Sequence, residues 1–488
     1  MATQQGSRQS VGYERSDDAY LEQRQLKSGA AGWVLLAGLG VAYVISGDFA
    51  GWNFGLAEGG WGGLLIATAL MATMYTCLIF ALAELAAAMP VTGGGYGFAR
   101  RALGPLGGMA TGTAILIEYA IAPAAIVTFI GGYIESLDLF GISNGWPVYL
   151  VFYAVFIGVH LFGVGEALKV MFAITAIAVI ALVAFVAGMV PKFDTSNLTD
   201  IKPTDAAGAS SFIPFGYAGI LSAFVYGIWF FLAVEGVPLA AEETGDPARD
   251  MPRGIITAML TLLLFAALIL LIVPGSAGSE TIRGSDNPLP EAIRAVRGDG
   301  SVLADFVNWA GLAGLVASFF SIIFAYSRQL FALSRAGYLP KVLSLTSGRN
   351  TPWVALLVPG TIGFLLAGVL EANMGAAAGA LLINIAVFGA TTSYVLLNLS
   401  HIMLRRREPD LERPYRTPGG VVTTGVGLVL SVVAVVATFF VDIKAAGITA
   451  GVFVAALAYF WFYSRHHLVA SAPEEEFSQI TDAESDLK

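Results

Sequence analysis

The chain has 488 residues, of which 56% are hydrophobic and 12% are charged, with a mean hydropathy of +0.74 and a formal net charge of -9. Soluble domains carry about 25% charged residues and nucleic-acid binders present a basic face, so this composition excludes both classes. The single cysteine, Cys77, lies in an apolar run, which excludes a disulfide framework and a thiolate metal site.

The N-terminal segment, residues 1–29, is polar and mixed in charge, and it lacks the short apolar core of a signal peptide. Beyond it, apolar runs of the length that crosses a bilayer, roughly 20 residues, follow one another to residue 465. We therefore expect an all-α integral membrane protein with twelve transmembrane helices. The predicted spans are 30–56, 61–89, 109–136, 146–164, 168–190, 214–241, 253–274, 302–334, 353–371, 376–400, 421–441 and 445–463.

The positive charges predict the orientation of these spans. Most of the 26 lysines and arginines fall in loops that would share one side with the N-terminus. Because positive loops stay in the cytoplasm, both termini are predicted to be cytoplasmic and the protein to reside in the cell membrane. This orientation makes 191–213 an extracellular loop and 401–420 a basic cytoplasmic loop. The acidic end, 466–488, is predicted to be a solvated tail.

Two of the predicted spans contain an acidic residue beside a glycine near mid-membrane. In span one Asp48 follows Gly47, and in span six Glu235 precedes Gly236, with Pro238 shortly after. Glycine and proline weaken a helix, and in lipid such breaks persist where the freed backbone groups line a cavity. Kinks in an ordinary bundle give the same pattern. Breaks at matching points of two five-helix halves favour an inverted-repeat transporter with its site at the breaks.

The position of these two carboxyl groups needs an explanation of its own. An ionised carboxylate at the centre of a bilayer costs at least ~2.5–3.5 kcal/mol on insertion scales. For Asp48 and Glu235 the alternatives are a cationic ligand, a bound proton or a buried structural hydrogen bond. We favour the two functional roles, with both side chains facing one cavity.

Several further stretches resemble signatures of the amino acid–polyamine–organocation transporter superfamily. Each is weak alone, but together they are specific and extend over nearly the whole membrane region. They are Ala83 to Pro90 with Gly93-Gly94-Gly95-Tyr96, Glu242-Glu243-Thr244 with Asp246 to Arg253, Arg335 to Pro340, and Arg405 to Tyr415. Within the superfamily, Gly47 to Leu56 and Glu118 to Pro123 are similar to the bacterial ethanolamine permeases.

This resemblance implies a LeuT-like fold and a secondary transporter that works by alternating access, not an enzyme. Residues 30–190 and 214–400 would form the two inverted repeats of five helices, followed by two additional helices within 421–465. The similarity to ethanolamine permeases implies uptake of ethanolamine or a similar small primary amine.

The residues at the first break agree with a positively charged substrate that lacks a carboxylate. Amino acid carriers of the superfamily have Gly-Ser-Gly there, whereas this chain has Ile45-Ser46-Gly47, followed by Asp48. A carboxylate ~4 Å from Asp48 would be repelled by roughly 4 kcal/mol at an effective dielectric constant near 20, and an ammonium would be attracted similarly. We expect Asp48 to be the main ammonium partner and Glu235 a second partner or proton carrier.

The other predicted substrate-binding residues surround these two acids along the chain. Glu118 either faces the cavity or bonds across helices, and the aromatic residues are candidate walls or gates, since aromatic faces attract cations. For any single ring, ordinary helix or lipid packing is an equal alternative. These residues are Ser46, Gly47, Phe49, Trp52, Glu118, Tyr119, Phe231 and Gly236, with Trp229 as a further wall.

The coupling ion is predicted to be a proton or Na⁺, and no cofactor or resident metal is expected. The resemblance implies Ser318 and Ser321 as hydroxyl ligands if sodium drives transport. If a proton does, Glu235 is the expected carrier, because two acids facing one cavity raise each other's proton affinity. Some proton-linked relatives have a lysine within span five, which this chain lacks between Ala173 and Leu182. Facilitated diffusion remains an alternative, since the membrane potential favours entry by ~2.3 kcal/mol per charge per 100 mV.

Two other functions stay open at this point. Within transport, the alternative is a permease for polyamines or cationic amino acids. In a different class, the alternative is a membrane-embedded sensor without transport, which usually needs an appended soluble domain. The expected partners are a small cationic amine and the lipid bilayer, with no nucleic acid, and the sequence leaves the oligomeric state undetermined.

Overall fold

The structure, a computed structural model, describes residues 11–14, 20, 31–90, 93–138, 141–162, 165–375, 377–470, 472 and 475, without the side chains of 165–169, 242 and 243. Most of the predicted N-terminal segment 1–29 and of the predicted tail 466–488 lies outside these residues. The described chain is nearly all helical.

The first half of the described chain runs through six helices and two short 3₁₀ turns. The helices are α1 Trp33–Val44, α2 Ser46–Phe49, α3 Phe54–Ala88, α4 Gly95–Ser136, α5 Trp146–Phe162 and α6 Gly165–Met189, and the 3₁₀ turns are Val190–Lys192 and Thr195–Thr199.

The second half continues with helices and three further 3₁₀ segments. The helices are α7 Gly216–Trp229, α8 Pro247–Ala277, α9 Ser279–Ile282, α10 Pro288–Arg297, α11 Val302–Arg335, α12 Trp353–Met374, α13 Ala377–Arg407, α14 Val421–Val441 and α15 Ile443–Phe462. The 3₁₀ segments are Val234–Glu243, Lys341–Ser344 and Ser464–His466.

The helices confirm an all-α integral membrane protein. Within the described residues, 10 helical segments are long and apolar enough to cross a membrane. Two shorter apolar helices, α1 and α5, lie at the positions of predicted spans one and four. Every predicted span therefore has a helical counterpart, while the count of twelve transmembrane helices stays a prediction.

Span one is broken, but its end differs from the prediction. α1 stops at Val44, a turn at Ile45 leads into the short helix α2, and another turn precedes α3. The single span 30–56 is therefore wrong at its C-terminal end, because the residues from Phe54 onward belong to α3. The uninterrupted apolar run does not show this boundary. α3 itself bends at Gly60 (φ +67°), a conformation that glycine adopts without a Cβ penalty.

Span six is broken as well. α7 ends at Trp229, residues 230–233 form a turn, and the chain continues as the 3₁₀ segment Val234–Glu243. Ala233 has φ +80°, a left-handed conformation that is rare for a residue with a Cβ. The predicted break in span 214–241 is thus confirmed, with the turn 230–233 separating α7 from the 3₁₀ segment.

Helix packing brings the two breaks to the centre of the bundle. α1 packs against α8, α3 against α7, and the long helix α4 against both α11 and α13. α11 also contacts α1 and α2, so the span with the first break lies against α11. Side chains at these crossings form one large buried apolar cluster.

The two ends of the described chain meet in what we call the terminal clasp, formed by Tyr13, Glu14, Arg100, Tyr338, Leu468, Val469 and Glu475. Strand β1 Tyr13–Glu14 pairs in parallel with strand β2 Leu468–Val469. The Glu475 carboxylate, 0% exposed, accepts hydrogen bonds from Arg100 Nε (2.8 Å) and from the Tyr338 hydroxyl (2.9 Å).

For the described residues of the predicted tail, the terminal clasp differs from the expected solvation. Leu468, Val469 and Glu475 are all buried. An acidic composition predicts solvation when the acids lack partners, whereas the guanidinium of Arg100 compensates the buried carboxylate of Glu475.

Candidate functional site

Asp48 lies on α2, the short helix between the two turns of span one. The residue is 1% exposed, and neither carboxylate oxygen has a hydrogen-bond partner among the described residues. Burial removes the hydration of a charged group, and that loss is costly unless another group replaces it. The position can therefore take up a positively charged group or a proton.

A hydroxyl group of α11 stabilises the helix break beside Asp48. Ser318 Oγ accepts a hydrogen bond from the Ser46 N–H (3.0 Å) and donates one to the Ala42 carbonyl (2.7 Å). Ala42 and Ser46 are four residues apart and would bond to each other in an uninterrupted helix. Ser318 thus satisfies the backbone groups that the break frees. Ser321, the second predicted ion ligand, is buried one turn further along, and its hydroxyl has no partner among the described residues.

The two broken spans pack directly against each other. A Cβ added at Gly47 would lie 2.4 Å from the Trp229 carbonyl oxygen, so only glycine permits this approach. Trp229 Nε1 donates a hydrogen bond to the Ala50 carbonyl (3.0 Å), and the Trp52 ring stacks on Phe230 at a centroid distance of 5.6 Å. The first break and the turn of span six are therefore in direct contact with each other.

Glu235, in the 3₁₀ segment of span six, meets Glu118 of α4. Their carboxyl groups lie within hydrogen-bonding reach of each other. The Tyr119 hydroxyl contacts Glu235 Oε1 (3.4 Å), and the Tyr394 hydroxyl contacts Glu118 Oε1 (3.4 Å). Tyr394 is in turn hydrogen-bonded to the Tyr75 hydroxyl. All five side chains are buried, so the group is shielded from solvent.

Two other predicted residues lie beside this acidic pair. Phe231 packs its ring on Tyr75 at 5.6 Å, which places it next to the tyrosine chain. A Cβ at Gly236 would lie 3.1 Å from the Tyr119 hydroxyl, so the lack of a side chain leaves room for that tyrosine.

Phe49 lies elsewhere. Its ring packs where Gly311 and Gly314 of α11 leave space, and its carbonyl accepts a hydrogen bond from the Tyr133 hydroxyl (2.9 Å). These contacts anchor α2 to α11 and α4.

The predicted residues therefore fall into two groups rather than one. Asp48 shares the first break with Ser46, Gly47 and Trp52, whereas Glu118 and Glu235 form a separate pair. Asp48 has no interaction with either glutamate within the described residues. The carboxyl group that contacts Glu235 comes from Glu118 of α4, and the expectation that Asp48 and Glu235 face one cavity stays a prediction.

Three polar residues of the bundle centre were not predicted from the sequence. Tyr75 and Tyr394 extend the acidic pair across α3 and α13, and Asn384 of α13 is 1% exposed with no partner for either amide atom among the described residues. Their signal was a polar group inside an apolar span, but hydropathy does not show which side of the helix faces the site.

Comparisons with known proteins agree with this architecture. A family model described as "Amino acid permease" matches residues 34–475. An uncharacterized transporter of Rhizobium meliloti (strain 1021) is 28% identical over 82% of this chain and 84% of its own. The branched-chain amino acid permease BcaP of Bacillus subtilis (strain 168) is 26% identical over 72% of this chain and 76% of its own.

Two further proteins are similar. The methylthioribose transporter of Bacillus subtilis (strain 168) is 26% identical over 74% of this chain and 78% of its own. A solved structure of the Eremococcus coleocola manganese transporter covers 97% of this chain and 98% of that chain, with a TM-score of 0.50 and 14% sequence identity. At this identity the likeness shows the fold alone.

Proposed function

Since the chain belongs to the amino acid permease family, and is therefore a secondary transporter with a LeuT-like helical fold, we propose that it imports ethanolamine or a similar small primary amine by alternating access. Its relatives are permeases and transporters, so the chain is a multi-pass membrane transporter and not an enzyme. The proposal concerns the substrate, the residues that bind it and the cell membrane as its location, with both termini in the cytoplasm.

The observation that supports an amine is the unpartnered carboxyl group of Asp48. Its burial at the break of span one leaves two acceptor oxygens without donors among the described residues. A primary ammonium supplies three N–H donors and one positive charge, which match these acceptors. Asp48 is thus the ammonium partner in this proposal, with Ser46, Gly47 and Trp52 around it.

The same carboxyl group disfavours an amino acid. A substrate carboxylate about 4 Å from Asp48 would be repelled by roughly 4 kcal/mol at an effective dielectric constant near 20, on the order of a thousandfold in affinity. One relative is named for branched-chain amino acids and another for methylthioribose, so membership of the family does not by itself select an amino acid. We therefore take the substrate from the chemistry of the site.

The test compares Asp48→Asn with Glu58→Gln, which removes a carboxyl group from the neighbouring helix α3. In proteoliposomes, Asp48→Asn is expected to weaken uptake of labelled ethanolamine by a factor on the order of 100–1,000, because the neutral amide loses the attraction to the ammonium. Glu58→Gln is expected to transport like the wild type. Excess unlabelled ethanolamine should compete with the label, and alanine should not.

The proposal fails if purified, monodisperse Asp48→Asn transports ethanolamine like the wild type. Competition by lysine or putrescine that is stronger than competition by ethanolamine would favour a cationic amino acid or polyamine permease. Imposed proton, sodium and voltage gradients, applied one at a time, identify the driving force among the alternatives.

A further inference from the structure

Glu118 and Glu235 form a carboxyl pair between two differently built segments. Glu118 lies inside the long helix α4, whereas Glu235 lies in the 3₁₀ segment that follows the break of span six. Both residues are almost completely buried, at 0% and 5% exposed. Their carboxyl groups are within hydrogen-bonding reach, so the pair depends on the distance between α4 and the segment after the break.

Among the described side chains, no cation compensates this pair. Within the described residues, neither carboxyl group forms an ion pair with a lysine, arginine or histidine, and the Oε2 oxygen of each lacks a hydrogen-bond donor. Two carboxylates in contact repel each other strongly where water is excluded, and known carboxyl pairs of this kind share one proton. A hydrogen bond between two carboxyl groups needs that proton as well.

The groups that face the pair are tyrosines. Tyr119 of α4 and Tyr394 of α13 contact the two carboxyl groups directly, while Tyr75 of α3 bonds to Tyr394. Tyr43 of α1 also lies close to Tyr119. These hydroxyl groups donate hydrogen bonds but carry no positive charge at neutral pH, so they orient the pair without neutralising it.

We propose that Glu118 and Glu235 together form the proton site of this transporter, holding one proton between them while the site is closed. Movement of the 3₁₀ segment away from α4 separates the two carboxyl groups. The hydrogen bond between them breaks, the proton passes to water, and two hydrated carboxylates remain. The proton is thereby coupled to the opening of span six.

The inference rests on the proposed function only for the existence of a transport cycle, so its first test does not depend on the substrate. Infrared difference spectra of the purified protein during a pH titration detect the C=O band of a protonated carboxyl group. We expect Glu118→Gln and Glu235→Gln each to remove or displace the same band. Glutamine has the shape of a neutral carboxyl group, so both variants should fold. Glu371→Gln is the matched control and should leave the band unchanged.

A second measurement follows proton movement directly. A pH-sensitive dye inside proteoliposomes records protons while labelled ethanolamine reports transport. Either glutamine variant should lower substrate-driven proton movement by about tenfold or more, while exchange of labelled for unlabelled substrate continues.

The outcomes separate the two proposals. If the two glutamine variants leave the band unchanged, or if only one of them affects it, the shared proton is excluded whatever the substrate. If the wild type transports ethanolamine without moving protons, the proton site is excluded and the amine proposal stands. If the shared band is present but ethanolamine is not transported, the substrate proposal fails and the carboxyl pair stands.

Discussion

At the scale of single residues, the buried carboxyl groups differ in whether the protein itself compensates them. Glu84 is 0% exposed, accepts hydrogen bonds from Arg405 Nε (2.8 Å) and the backbone N–H of Thr417 (2.7 Å), and forms an ion pair with Arg413 Nε (3.0 Å). Asp48 is equally buried and has none of these among the described residues. A carboxylate with this many donors is structural, whereas one without donors is available to a ligand.

Asp286 is a third kind, a half-buried acid outside the membrane spans. It lies in the loop between α9 and α10 and packs against Gly132 of α4. Burial, together with the negative charges of Glu371, Glu135 and Glu291, raises the pKa of Asp286 to about 7. The folded protein therefore binds more protons here than the unfolded chain, whose carboxyl group titrates near 3.8.

This difference predicts how stability depends on pH. The contribution of Asp286 to the stability of the fold is most favourable below about pH 4 and is lost as the pH rises through about 7, because ionising this carboxyl group costs more in the folded state than in the unfolded chain. Asp286→Asn removes that charge, so we expect a higher melting temperature than wild type at pH 8 and little difference at pH 4.

Thermal unfolding of the solubilised protein at the two pH values measures this effect. The control is Asp205→Asn, an exposed acid of the loop before α7, which should leave both melting temperatures unchanged. An equal gain for Asp286→Asn at both pH values would contradict an electrostatic origin.

At the scale of structural elements, the first break depends on a hydroxyl that belongs to another helix. Ser318 of α11 bonds both Ala42 and Ser46, and so occupies the position of the missing helical hydrogen bond. Its predicted role in sodium binding remains a proposal, but the hydroxyl already has a structural role. The break is therefore a property of α1, α2 and α11 together.

Replacing this hydroxyl tests that dependence. Ser318→Ala leaves the Ala42 carbonyl and the Ser46 N–H without their shared partner, which is expected to cost about 1–3 kcal/mol of stability. Thermal unfolding measures the loss. Ser393→Ala is the matched control, because the Ser393 hydroxyl is also buried but, among the described residues, bonds to a carbonyl of its own helix and not across helices. Equal losses of stability for the two substitutions would show that the contacts of Ser318 with Ala42 and Ser46 stabilise the fold no more than a hydrogen bond within one helix.

At the scale of the whole molecule, the terminal clasp joins residues near both ends of the chain to the helical bundle. The Glu475 carboxylate is held by Arg100 at the start of α4 and by Tyr338 after α11. Arg100 belongs to the first predicted repeat, 30–190, and Tyr338 to the second, 214–400. The clasp therefore connects these halves on the side that the positive charges predict to be cytoplasmic.

Glu475→Gln breaks this buried ion pair and leaves Arg100 without its counter-charge, at an expected cost of about 3–5 kcal/mol. We expect the C-terminal residues to detach, so limited proteolysis should cleave the tail faster than in the wild type. Glu412→Gln, which removes an exposed charge from the loop before α14, is the control. An unchanged rate of cleavage for Glu475→Gln would exclude the clasp.

The amino-acid sequence by itself determined the membrane helices, their approximate limits and the two breaks. This is because a bilayer imposes length and hydropathy on every span, and because an acid beside a glycine is conspicuous in an apolar run. The boundary between span one and α3 was missed, since hydropathy does not record a turn inside an apolar segment. The proposed importance of Asp48 also came from its position in the chain.

Only the tertiary structure decided which side chains meet. It paired Glu118 with Glu235, left Asp48 without a partner among the described residues, placed Ser318 in the first break and buried Glu475. These contacts join residues that are far apart in the chain and lie on helices apolar on most sides, so no periodicity shows which face turns inward. Helix rotation and crossing, set by packing, determine those contacts.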